Sequence, residues 1–101
     1  MEATVGRIVH YKLNAADVEA INRRRSDAGL RMAEIRADRL GYVAHVGNSA
    51  TEGQVLPAMV VATWSAGCVN LQVLLDGVDT YWATSRTEGE GSGHWSWPPR
   101  V

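Results

Sequence analysis

Three arginines stand in a row at Arg23, Arg24 and Arg25, and four tryptophans (Trp64, Trp82, Trp95, Trp97) occur in a 101-residue chain without a phenylalanine. Both features suit recognition of a flat, charged ligand. A guanidinium is a planar fork of donors whose charge never titrates away, and it matches phosphate geometry. An indole offers a flat π-face and one N–H, which suits stacking a nucleobase or anchoring an interface. Each has a plainer reading. Consecutive helical residues point about 100° apart, so three arginines in a row make no single claw and can simply solvate a helix end. The indoles can replace phenylalanine in the core. Alternation along a strand puts Trp95 and Trp97 on one face and Tyr81 and Trp82 on opposite faces, so one of the latter two must leave the core side.

His10, His45 and His94 lie far apart and no two share the spacing of a metal site, so no metal is expected. His94 stands beside two tryptophans and a glycine-rich stretch, which makes it the histidine expected to meet a ligand. That stretch, Thr87 to Gly93, is read as a flexible acidic loop; it lacks the Lys-Ser/Thr of a phosphate loop and opens no helix. Asp76-Gly77-Val78-Asp79 has too few oxygen ligands for calcium and reads as a hairpin turn. Trp97-Pro98-Pro99-Arg100 reads as a strand stop, with docking into an aromatic groove as the alternative. No nucleophile–base or paired-carboxylate signature is present, so neither enzyme activity nor a cofactor is expected. The ligand-binding candidates are therefore Arg23, Arg25, Tyr81, Trp82, His94, Trp95 and Trp97.

The elements that must position these residues follow from periodicity. Val5 to Leu13 alternates as a first strand. Asn14 caps a helix over Ala15 to Arg25, with Asp17 completing an Asn-x-x-Asp box and Val18 and Ile21 facing inward. Ser26 to Gly29 is expected to stop it. Leu30 to Leu40 reads as a second helix, with Leu30, Ala33, Ala37 and Leu40 on one face and Gly41 at its end. Tyr42 to Val46 is a short apolar run, and Ser49 to Gly53 a polar loop. Val55 to Trp64 is apolar on both faces and is expected to be covered on both, with Pro57 marking a start, an edge or a bulge. Val69 to Leu75 alternates, Asp76-Gly77 turns tightly, and Val78 to Ser85 returns. Trp95 to Trp97 is a last short strand. The expected fold is mainly β (α+β), a single domain over residues 1–101. It is a small SH3-like or partly open antiparallel β-barrel, four of its strands joined by hairpins, with one or two helices inserted after the first strand. An antiparallel sheet packed on one or two helices is the alternative.

Composition narrows the partners. With 46% apolar and 21% charged residues the chain should fold without staples, and its one cysteine, Cys68, permits no intrachain disulfide and is read as a small buried hydrophobe. A net charge of −1 leaves no surplus of cations to displace counterions, so nucleic acid is not an expected partner. No apolar run approaches a bilayer span and no export signal is read at the N-terminus, so no membrane partner is expected either.

Read end to end, the motif order resembles a widespread group of small proteins encoded by tailed bacteriophages and prophages. The residues that carry the likeness are Gly6 to Tyr11, Ala20 to Arg25, Ala44 to Asn48, Gly53 to Val60, Val69 to Val73 with Leu75-Asp76-Gly77, Trp82 to Ser85, and the Trp-x-Trp-Pro-Pro-Arg ending at Trp95 to Arg100. The resemblance implies an accessory protein acting in the cytoplasm of an infected bacterium. Two functions fit. One is a non-enzymatic binding protein that sequesters a small phosphate-bearing, nucleotide-type ligand and blocks a host defence signal, as a homo-oligomer with the ligand at a subunit interface. The other is a structural or protein-interaction module, a minor virion component or an inhibitor docking on a host protein.

Overall fold

The computed structural model describes residues 2–38 and 45–100, the side chains of 29–38 excepted. The Leu30–Leu40 apolar face, the helix stop at Gly41 and most of the Tyr42–Val46 run lie outside them. The chain forms β1 (Ile8–Lys12), α1 (Ala15–Asp38), β2 (Val55–Ser65), β3 (Cys68–Leu74), β4 (Thr80–Arg86) and β5 (Trp95–Ser96). The strands make one antiparallel sheet in the order β4-β3-β2-β1-β5. β1 to β4 are successive neighbours, with α1 inserted between β1 and β2, so hairpins join only β2, β3 and β4. Instead of continuing that meander, β5 crosses to the far edge and pairs with β1, Tyr11 opposite Trp95. A parallel bridge between Glu88 and Trp95 then ties the segment after β4 to β5, bringing the two ends of the sheet together.

One face of the sheet builds the core. Val9, Tyr11 and Leu13 from β1 and its exit meet Leu56, Ala58 and Val60 of β2, Val69, Leu71 and Val73 of β3, Ala83 of β4 and Trp95 of β5, and α1 adds Ile21. These positions recur with period two because alternate strand side chains share a face. The opposite face is left uncovered by the described residues. Ile8, Val55, Met59, Val61 and Leu74 are exposed on it, so β2 is covered on one side and not two. Pro57 is tolerated inside β2 because Val60 donates its N–H to Arg7, which directs even-numbered groups toward β1. Odd-numbered Pro57 therefore faces β3, where pairing begins only at Ala58.

Asn14 and Asp17 form the reciprocal cap that their spacing predicts. Asn14 Oδ1 accepts from the Asp17 N–H at 2.8 Å, and Asp17 Oδ2 accepts from the Asn14 N–H at 3.0 Å. The helix does not stop at Gly29: α1 runs through 24 residues as one element. A glycine inside a helix costs only about 1 kcal/mol and leaves its hydrogen bonds intact, and Ala28 is already buried against the body of the protein.

The expected tight turn at Asp76-Gly77 is a longer loop, closed by the Leu75 N–H bonding the Asp79 carbonyl at 3.3 Å. Two contacts shape it. Gly77 bridges to Gly47 so closely that a Cβ on Gly47 would lie 2.6 Å from both the Gly77 Cα and the Asp76 oxygen. Asp79 turns inward to meet the arginines of α1.

Candidate functional site

The predicted residues do not gather at one place. Arg23 lies on the surface and pairs with Glu19 one turn away at 3.1 Å. Arg24 and Arg25 converge on Asp79, at 3.1 and 2.9 Å. The Arg25 side chain is 7% exposed and that of Asp79 5%. Arg25 also donates to the carbonyls of His45 (2.6 Å) and Asn48 (3.1 Å), so its fork is consumed within the fold. Burial alone would raise the Asp79 pKa, but hydrogen bonds from Arg25 and then Arg24 outweigh it and hold the carboxyl below its ordinary range. Arg24 and Arg25 form a clasp between α1 and the β3–β4 loop. Geometry thus gives Arg25 an internal partner where the sequence pointed to a phosphate.

The aromatics divide in the same way. Trp95 is 1% exposed, with its indole N–H on the Gly67 carbonyl at 2.9 Å; it fills the core and reaches the surface only as part of the floor of an opening beside the β2–β3 turn. Tyr81 lies under the Arg24 guanidinium, 5.6 Å from its ring centre. Burial, followed by the charge and hydrogen bond of Asp17, raises the Tyr81 pKa. Trp82 projects from the opposite face, 61% exposed, as alternation requires. Trp64 is 65% exposed, with its N–H held by Asn70 at 2.9 Å. Cys68, half-buried, opens β3 opposite Ser65.

Two predicted residues do meet. His94 and Trp97 line an opening of about 300 Å3 at the β1–β5 edge, together with His10, Lys12, Glu90 and Ser96. Antiparallel pairing sets His10 opposite Ser96, and alternation brings Lys12 to the same side of β1 as His10. Trp97 stands edge-on to Trp95, ring centres 5.5 Å apart, which anchors it on the core. His94 Nδ1 lies 3.1 Å from both the Thr87 carbonyl and its hydroxyl, which leaves Nε2 as the nitrogen for a visitor. The glycine-rich loop expected to be flexible is pinned over this opening. Trp95 donates to the Thr87 carbonyl, Gly89 to Trp95 and Gly93 to Lys12, while the Lys12 ammonium holds the Glu90 carbonyl at 2.7 Å. Such a surface presents an ammonium and two imidazoles around an indole, the donor set for an anion joined to a flat ring.

A larger opening of about 480 Å3 lies between the N-terminal segment and the β2–β3 turn. Glu2, Glu88 and Trp64 line it without any lysine, arginine or histidine, so a phosphate entering there meets two carboxylates and no cation. The smaller opening is the one with anion chemistry.

His10 and Lys12 escaped the sequence reading of the site, although alternation with buried Tyr11 marks both as facing away from the core. A second omission is the buried carboxylate of Asp17, which accepts from the Tyr11 hydroxyl and, at 3.0 Å, from Arg86. Among the described residues no group of three or more His, Cys, Asp or Glu is placed to hold a metal ion, and no helix is long and apolar enough to cross a membrane. Comparison with protein-family models, with curated proteins and with solved structures finds no match to this chain.

Proposed function

We propose that the chain is a non-enzymatic binding protein that sequesters a small phosphate-bearing, nucleotide-type ligand at the β1–β5 opening. One observation carries the reading: Lys12, His10 and His94 surround the half-buried indole of Trp97 at a cavity of ligand size. A base stacks on the indole while the phosphate takes the Lys12 ammonium. That ammonium now holds a neutral carbonyl, and a charge-assisted bond to phosphate is roughly twice as strong as a neutral one, so the exchange favours the ligand. The resemblance to phage proteins supports the wider setting, a host cytoplasm in which the ligand is a defence signal. The strand arrangement, with the Glu88–Trp95 bridge joining the two ends of the sheet, supports an SH3-like, partly open barrel as the finer description of this β-rich fold.

Isothermal titration against inorganic phosphate, linear and cyclic nucleotides and unphosphorylated nucleosides tests the proposal. Heat is expected from phosphate-bearing compounds alone. Lys12→Ala and Trp97→Ala should each weaken binding by about tenfold or more, the worth of one charged or stacked contact. Glu90→Gln, which removes a rim carboxylate, should tighten it. Silent traces across the panel discard the reading.

The second reading, a virion component or an inhibitor docking on a host protein, draws on the exposed apolar side chains Ile8, Met59 and Trp82, which share the outer face of the sheet with Gln72 between the last two. Recovery of the chain in purified virions, or with a host protein from infected cells, would favour it.

A further inference from the structure

We propose that β4 pairs with β4 of a second copy of this chain, antiparallel, about a two-fold axis through Trp82. This assembly is independent of the ligand reading, because the candidate opening lies at the β1–β5 edge and, among the described residues, β4 is the other edge of the sheet.

The direction of the backbone groups along β4 follows from the sheet itself. The Val60 N–H bonds to Arg7, so the even positions of β2 face β1 and odd positions such as Met59 face β3. Met59 pairs with Gln72, so Gln72 faces β2 and its neighbours Leu71 and Val73 face β4. Their partners are Ala83 and Tyr81. The N–H and C=O groups of Thr80, Trp82 and Thr84 consequently point away from the sheet. The Arg24 bond to the Thr80 carbonyl at 3.0 Å agrees, since only an outward carbonyl is within a helix side chain's reach. The run ends after Thr84, where Ser85 takes a positive φ of 53° and gives its N–H to Asn70.

Natural edges are blunted by lysine, proline or an inward charge. Residues 80–85 contain none of these. They are instead Thr-Tyr-Trp-Ala-Thr-Ser, rich in strand formers and without charge.

Self-complementarity singles out a second copy as the occupant. A two-fold axis at Trp82 sets Thr80 opposite Thr84, Tyr81 opposite Ala83 and Trp82 opposite itself. No like charges meet. On the inner face a large ring faces a methyl group, and on the outer face two exposed indoles lie side by side, flanked by threonine pairs of the kind that stabilise antiparallel ladders. The outward donors and acceptors match one another in the same register, the Thr80 carbonyl receiving the partner's Thr84 N–H on its second lone pair beside Arg24. Hydrogen bonds and indole contact therefore call for the same arrangement.

Light scattering and sedimentation of the full chain decide the matter. A particle of twice the 11.0 kDa chain mass is expected. Trp82→Lys and Trp82→Glu should each weaken association by about 30-fold or more, the loss of an interface anchor. Their folds should persist by circular dichroism because residue 82 is exposed. An equimolar mixture of the two should recover the double mass, since opposite charges then face each other across the axis. Thr84→Pro, which removes an outward N–H from an edge position, should also give a monomer. A wild-type chain that stays monomeric at about 100 µM, far above the Kd of a stable dimer, overturns the proposal. So does a dimer indifferent to Trp82→Lys, or a mixture of charge variants that fails to associate.

Discussion

Replacing Asp79 with alanine removes the anion on which Arg24, Arg25 and the β3–β4 loop converge. In the native fold its two carboxylate oxygens accept from Arg25 at 2.9 and 3.2 Å and from Arg24 at 3.1 Å, and His45 Nδ1 lies 3.4 Å away. The variant strands the Arg25 guanidinium, almost wholly out of water, with only the His45 and Asn48 carbonyls to hold it. Breaking a buried pair from one side costs about 3–5 kcal/mol, because the surviving charge keeps its desolvation penalty and loses its partner. Set against the roughly 5–15 kcal/mol of a domain this size, that is about a fifth of its stability or more. With a urea dependence of about 2 kcal/mol per molar, the unfolding midpoint should fall by about 2 M. The double variant Arg25→Met/Asp79→Leu should regain most of the loss, since an apolar pair of similar volume avoids both desolvation penalties. Urea titrations followed by tryptophan fluorescence measure all three proteins. An Asp79→Ala midpoint within about 0.5 M of wild type, equivalent to about 1 kcal/mol, would refute the clasp as a structural device.

The remaining predictions use the same fold. Gly47→Ala should destabilise by about 2 kcal/mol or more, because its Cβ meets backbone at 2.6 Å that cannot give way, whereas Gly53→Ala meets nothing within 4 Å and bears only its positive φ, about 1 kcal/mol. Thermal unfolding of both variants compares them directly. The depressed pKa of Asp79 contributes stability that is complete above its ordinary value of 3.8 and drains as pH falls from there through the lowered folded value, a loss that Asp79→Asn should abolish in acid titrations. Tyr11 does the reverse: burial first, then its bond to Asp17, raise its pKa, so its contribution is complete below pH 10 and is lost above, and Tyr11→Phe should flatten that alkaline limb.

Much of the fold was legible because strand period and cap chemistry are local. Val9, Tyr11 and Leu13 alternate and are buried, the Asn14–Asp17 box closes as its spacing requires, and the runs at Val55, Val69 and Thr80 are strands within one or two residues of their expected limits. What failed was non-local. Nothing in Trp95-Ser96 says that it pairs with β1 and not with β4, a choice made by core burial of the Trp95 ring and its bond to Gly67. The stop expected at Gly29 rested on a turn-like tetrapeptide, yet one glycine costs less than a running helix retains.

The site was harder to read because charge in a sequence carries no address. Arg23, Arg24 and Arg25 are one motif on paper, yet helical geometry sends them to three environments: a surface pair with Glu19, a ring-and-carbonyl contact over Tyr81 and Thr80, and a buried fork on Asp79. The step of about 100° that argued against a single claw also explains why only two of the three reach one carboxylate. Lys12, His10 and His94 are by contrast scattered in sequence and meet because β1 and β5 are antiparallel neighbours. A cation that no carboxylate of the described residues neutralises is better placed to receive a ligand than one already paired. On that criterion Lys12, whose ammonium rests on a carbonyl, outranks Arg25, and the smaller opening outranks the larger.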